Sequence, residues 1–90
     1  MPRIRTFQLY SDPGHGWLKV TRGDLKRAGL IEKISSFSYQ RGESVFLEED
    51  CDLALFLSFL KREEIQFKIK ESTAQKSSKI RNYTPYTPGR

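Results

Sequence analysis

Apolar and polar residues alternate over RTFQLY (5–10), which puts Phe7 and Leu9 on one side of the chain, as a half-buried strand requires. SDPGHG interrupts the pattern, and WLKV (17–20) resumes it with Leu18 and Val20 together. Asp-Pro-Gly is turn chemistry: proline presets φ, glycine accepts positive φ, and the Asp12 carboxylate can take up following backbone N–H groups. Residues 5–20 are therefore predicted to form a hairpin or two strands joined by a broad turn. TRGDLKRAGL (21–30) predicts a helix of about two turns, with Thr21 as N-cap, Asp24 in the first turn and Gly29 closing the end. Leu25 and Ala28 would face inward.

A second hairpin is predicted beyond it, with Phe37 and Tyr39 in one arm, Val45 and Leu47 in the other, and Arg41-Gly42-Glu43 near the turn. DLALFLSFLKREE then carries the strongest helical pattern. Leu53, Phe56, Leu57 and Leu60 recur at i, i+3, i+4 and i+7, capped by Asp50 or Asp52. Leu55 and Phe59 widen the apolar arc, which a sheet, the tail or a second subunit would have to cover. IQFKIK (65–70) alternates again, Ile65, Phe67 and Ile69 inward and lysines outward. The order β-β-α-β-β-α-β implies an α+β fold, a small mostly antiparallel sheet with two helices on one face. Residues 1–70 form the expected domain. Residues 71–90 lose the apolar periodicity and read as a basic, tyrosine-containing C-terminal arm, partly disordered when free.

Ninety residues, 37% of them hydrophobic, support one modest core and disfavour an enzyme with a deep enclosed pocket. The formal charge of +5 leans toward an anionic partner. Its distribution says more: residues 44–64 carry two Lys/Arg against six acids, whereas residues 65–90 carry six against one. The last strand and tail form a basic pole, and the start of the long helix an acidic one. A single cysteine excludes an intramolecular disulfide and a multi-cysteine zinc site, and fits a reducing compartment. MPRIRTFQLY lacks a signal peptide's apolar core, and no apolar run approaches a membrane span, so a cytoplasmic protein is expected.

Lys76, Lys79 and Arg81 are followed by Tyr83 and Tyr86, with Lys68 and Lys70 just upstream. Cations attract phosphates and tyrosine rings stack on unpaired bases, so these seven residues are the candidate nucleic-acid site. The alternative is a solvated tail, or one whose Ile80 and tyrosines pack back onto the excess apolar surface of the long helix. LEEDCD (47–52) clusters Glu48, Glu49, Asp50 and Asp52 at a helix start; capping accounts for such a cluster, and a magnesium site or an acidic contact patch are the other readings. His15 could serve as a general base, but PGHG matches neither the P-loop nor the dinucleotide fingerprint. No catalytic residue, metal ligand or cofactor is assigned. Cys51 is expected to be a buried, inert thiol. Trp17 is read as core or as an interface anchor, and His15, Trp17, Arg41, Glu48 and Glu49 are the candidate protein contacts.

The whole chain, through YSDPGHGWLKV, SYQRG, LEEDCD and SKIRNY, resembles a group of small proteins of phages, plasmids and other mobile elements. That resemblance implies an accessory role, against host defences or in handling element DNA, and supplies no residue roles. Residues 17–49 are also similar to swapped-hairpin regulators of the AbrB type, which are dimers that bind DNA through basic strand and loop residues. The proline usual at the Thr21 position and the Gly-Asp turn after the short helix are absent. The sequence therefore leads to a non-enzymatic accessory protein, a homodimer being possible, that engages nucleic acid or a nucleic-acid-handling complex. The alternatives are an inhibitor that binds a host defence protein, and a metal-assisted hydrolase using Glu48, Glu49 or Asp50 with His15.

Overall fold

The computed structural model describes residues 4–76 and 78–89. Strands β1 (Arg5–Ser11), β2 (Gly16–Thr21), β3 (Tyr39–Arg41), β4 (Ser44–Glu48), β5 (Phe67–Thr73) and β6 (Thr84–Pro85) form a single sheet in the order β5-β1-β2-β4-β3-β6. Helices α1 (Arg22–Ala28) and α2 (Leu53–Arg62) complete this α+β fold, and a 3₁₀ turn spans Lys79–Asn82. Every strand pair is antiparallel except β1 with β5. That exception follows from connectivity, because α2 carries the chain from β4 across the sheet and β5 re-enters in the direction of β4. Among the described residues, no helix is long and apolar enough to cross a membrane.

The strand alternation determines two faces. Register places Phe7, Leu9, Leu18, Val20, Val45 and Leu47 on one of them, under both helices. Leu25, Phe56 and Leu60 close this core, with the Phe7 and Phe56 rings meeting edge to face at 5.3 Å. Helix α1 is locally specified. The Thr21 hydroxyl accepts the Asp24 N–H at 3.0 Å and the Asp24 carboxylate accepts the Thr21 N–H at 3.1 Å, a reciprocal capping box. Gly29 ends the helix at φ 71°, a left-handed position that costs glycine least. Helix α2 starts differently from expectation. Asp52 occupies the cap position but makes no capping bond; its carboxylate instead accepts from the Ser35 N–H, the Ser35 hydroxyl and the Ser38 hydroxyl, tying the 31–38 loop to the helix start.

The segment after β5 is the main correction. The boundary expected at residue 70 is absent, since β5 runs on to Thr73 and residues 78–89 pack against both faces of the sheet. Ile80 joins Trp17 and Phe46 in a second small core on the face opposite the helices. Strand β6 pairs with the β3 edge, and Tyr86 then enters the main core, 2% exposed. Its N–H donates to the Ser38 carbonyl at 2.8 Å and its hydroxyl donates to the Ile31 carbonyl. Arg22 holds the end of the strap: its guanidinium donates to the carbonyls of Thr87 and Pro88 and lies 5.1 Å from the Tyr86 ring centroid. Ile80 and Tyr86 thus pack back on the domain, Tyr86 in the core that also holds Phe56 and Leu60 of α2, and Ile80 on the opposite face of the sheet rather than on the helix. Ser77 and Arg90 lie outside the described residues.

Candidate nucleic-acid interface

The face opposite the helices is made by the polar positions of the same strands. Register aligns Lys68 with Thr6, Lys70 with Gln8, Gln8 with Lys19, Lys19 with Phe46, and Phe46 with Tyr39. Arg41 and Ser44 form the next pair toward the hairpin turn. Residues two apart on a strand repeat at about 6.7 Å and neighbouring strands lie about 4.8 Å apart, so these side chains form a close two-dimensional array. Lys19, Arg41, Lys68 and Lys70 are all exposed.

The 3₁₀ turn covers only part of this face. Ser78 caps the turn by accepting the Ile80 N–H, and Ile80 anchors it on Trp17 and Phe46. Between the turn and the strands runs a groove of about 710 Å³, whose lining includes Tyr10, Lys19, Arg41, Phe46, Lys79 and Tyr83. Among the described residues, no acid lines it. Its aromatic side is continuous: Tyr10 and Phe46 lie 6.2 Å apart, and Phe46 and Tyr83 lie 5.2 Å apart, centroid to centroid. The Arg41 guanidinium stacks 5.4 Å from the Tyr83 ring and donates to its hydroxyl at 3.3 Å. Lys19 and Lys79 have no ion-pair partner among the described residues. Unpaired ammonium groups beside half-buried rings are available to a polyanion that also presents flat apolar surfaces.

The seven residues singled out by sequence divide. Lys68, Lys70, Lys79 and Tyr83 come together on this face. Lys76 is exposed in the connection between β5 and the 3₁₀ turn. Arg81 and Tyr86 are structural and correct the expectation. Tyr86 is in the core, with no free ring face for a base. Arg81 donates through Nε and Nη2 to the two Asp12 oxygens at 2.7 and 2.8 Å, and its guanidinium lies 5.3 Å from the Trp17 ring. The same carboxylate accepts the N–H groups of Ser78, Gly14 and His15. The Arg81 fork, aided by these donors, holds the Asp12 carboxyl well below the usual carboxylate range. Sequence reasoning missed Lys19 and Tyr10; their positions opposite Leu18 and Leu9 in the alternation were the available signal.

The other candidates gather at the far end of the same face. His15 is exposed at the β1–β2 turn, and its Nδ1 lies 3.0 Å from the Glu48 carboxylate. Trp17 and Glu48 are buried, which corrects their assignment as partner contacts. Glu49 is exposed, and Arg41 belongs to the cationic groove. Cys51 is exposed rather than buried; local desolvation and the Glu48 carboxylate that accepts from it push its thiol above the ordinary range. Phe37 does not join a strand and is 68% exposed beside this group. Comparison of the chain with protein-family models, curated proteins and solved structures finds no match.

Proposed function

We propose that the protein is a non-enzymatic binding module for single-stranded nucleic acid, with the open face of the sheet as its contact surface. One observation carries this reading: exposed Lys19, Arg41 and Lys79 line a groove with no acid among the described residues, whose aromatic side is Tyr10, Phe46 and Tyr83, and exposed Lys68 and Lys70 extend the cationic face along β5. Phosphates meet the cations while bases enter the groove and stack, at about 1–3 kcal/mol per stacked base. A groove favours a single strand over a duplex, because a duplex presents phosphates outward and keeps its base faces stacked inside. The rings are positioned by the sheet and by the 3₁₀ turn, so the bases meet a preformed platform. An accessory role for a mobile element, as the sequence resemblance implies, is consistent with such a module.

Fluorescence anisotropy with labelled single- and double-stranded oligonucleotides, titrated across salt, tests the proposal. Single strands are expected to bind more tightly, and contacts to five phosphates give a log K against log[salt] slope of about −3.5. Each Lys→Gln change on the face reduces that slope by about one contact's share, and Tyr83→Ala weakens binding at all salt concentrations. Equal affinity for duplex and single strand, or binding that does not respond to salt, overturns it.

A further inference from the structure

The turn that holds His15 and the β4–α2 connection are locked side by side. The Asp12 carboxylate accepts the N–H groups of Gly14 and His15 at 3.0 Å each, and the Asp12 N–H donates to the His15 carbonyl at 2.9 Å. The Glu49 N–H donates to the Gly16 carbonyl at 2.9 Å, bringing the two segments together. Beside this bond Gly16 leaves room for the exposed Glu49 side chain, whose flexible carboxylate end would lie 2.8 Å from a Cβ placed there. Three side chains converge here: His15, the buried Glu48 and the exposed Asp50 each offer one ligand atom, and these atoms all lie within 4.8 Å of one another.

From this convergence we propose that His15, Glu48 and Asp50 form a binding site for a divalent transition-metal ion. Glu48 is fixed for the role: its Oε2 accepts the Asp50 N–H at 2.8 Å while its Oε1 faces His15 at 3.0 Å. Among the described residues, neither Glu48 nor Asp50 has a Lys or Arg partner, and Arg81, the cation beside them in the pocket, is committed to Asp12. Two carboxylates facing one imidazole leave negative charge that a divalent ion balances. An imidazole with two carboxylates suits Zn²⁺ or Mn²⁺ better than Mg²⁺, which prefers an all-oxygen shell. Ligand atoms on one tetrahedral ion are separated by roughly 3.4 Å at bond lengths of about 2.1 Å, so the widest-spaced donors would close by about 1.4 Å on binding.

A second feature of the same place points to a ligand. Trp17, 2% exposed, lines a pocket of about 270 Å³ with His15, Glu48 and Asp50, and its indole N–H has no acceptor among the described residues. Three protein ligands leave an ion with an open coordination position, which distinguishes this set from a closed structural site. Phe37 and Tyr39 line the same pocket, so a small anionic co-ligand completing the ion's coordination there would sit among aromatic rings.

The experiment uses the full chain, stripped with chelator and titrated with Zn²⁺ and Mn²⁺ by calorimetry. His15 is the chain's only histidine, so its imidazole resonances report the site directly. One ion per chain, a shift of the His15 signals on Zn²⁺ addition and at least a tenfold loss of affinity in His15→Asn and Asp50→Asn are expected. Both of these residues are exposed, so these variants fold even where Glu48→Gln does not. Cys51→Ser should leave the affinity unchanged. Unmoved His15 signals, affinity retained in Asp50→Asn, or loss in Cys51→Ser alone would each overturn the site, the last by revealing thiol capture.

Discussion

Leu18 and Lys19 are consecutive in β2, yet one is fully enclosed beneath two helices and the other is exposed on the opposite face. The same holds in β5, where Phe67 packs against the helical core while Lys68 is exposed opposite it. One face is closed by apolar residues from α1, α2 and Tyr86. The other is closed only where Ile80 meets Trp17 and Phe46, and the remainder keeps cations and half-buried rings in solvent. Closing a face stabilises the fold, whereas leaving one partly open retains surface for a partner. Substitutions on the two faces should therefore separate stability from binding, and they are ordered below by their expected effect on stability.

Phe56→Ala removes the ring that meets Phe7 at the centre of the closed face, and the cavity costs about 3–5 kcal/mol. A chain of this length has about 5–13 kcal/mol in total, so chemical denaturation should show a large drop in midpoint or no folded baseline. A loss below about 1 kcal/mol would mean that the helices are not the principal cover of this face.

Tyr86 probes the strap that joins the faces. Tyr86→Ala opens the main core from the opposite end, and limited proteolysis should then cut within residues 78–88 faster than in the parent chain. Tyr86→Phe keeps the ring but leaves the Ile31 carbonyl without its donor, for a loss of about 1–2 kcal/mol. Burial raises the Tyr86 hydroxyl above its ordinary 10, an effect that outweighs the lowering by Arg22. The folded state therefore holds this proton more tightly than the unfolded one. Its contribution is complete below pH 10 and is lost as pH rises through the folded value. The stability difference between the parent and Tyr86→Phe should accordingly narrow in strong alkali.

Asp24 supplies the complementary acid limb. Burial pushes its carboxyl upward, but the Thr21 N–H and the Arg5 and Arg27 guanidinium groups outweigh that and hold it below the ordinary value. Stability from these contacts is present above the unfolded carboxylate range and is lost as pH falls through the folded value. Asp24→Asn should be less stable than the parent at pH 6, with the gap closing toward pH 2 in urea titrations. A pH-independent gap would assign the cost to packing rather than charge.

The sequence revealed what is local. Thr21, Asp24 and Gly29 specify α1 within nine residues, and strand alternation correctly separates Lys68 from Phe67, although Ile69, expected inward, is 38% exposed near the sheet edge. It did not reveal which strands lie side by side, because Gln8 meets Lys70 only after α2 has crossed the sheet. The Arg81–Asp12 pair joins residues 69 positions apart, and Ile80 and Tyr86 are single anchors without periodicity. Nothing in the composition of 71–90 distinguishes such anchors from the residues of a free arm. The groove was thus half legible: Lys79 and Tyr83 could be named in the tail, but Lys19 and Tyr10 belonged to a face whose neighbours only the topology defines.

The smallest effect on stability is expected on the open face, and it is the most informative about function. Lys19 and Arg41 are exposed, and replacing both with Gln should change the unfolding free energy by about 0.5 kcal/mol or less. If the cations serve a polyanion, the same variant should lose two units of phosphate contact, reducing the log K against log[salt] slope by about 1.4 and single-strand affinity at physiological salt by tenfold or more. Relief of like-charge crowding should even raise the midpoint slightly, since Lys19, Arg41 and Lys79 share one groove without an acid. A variant that binds as the parent does would detach the open face from nucleic-acid recognition. A variant that loses stability and binding together would show that the cations hold the 3₁₀ turn in place, and that the two faces are less independent than their burial indicates.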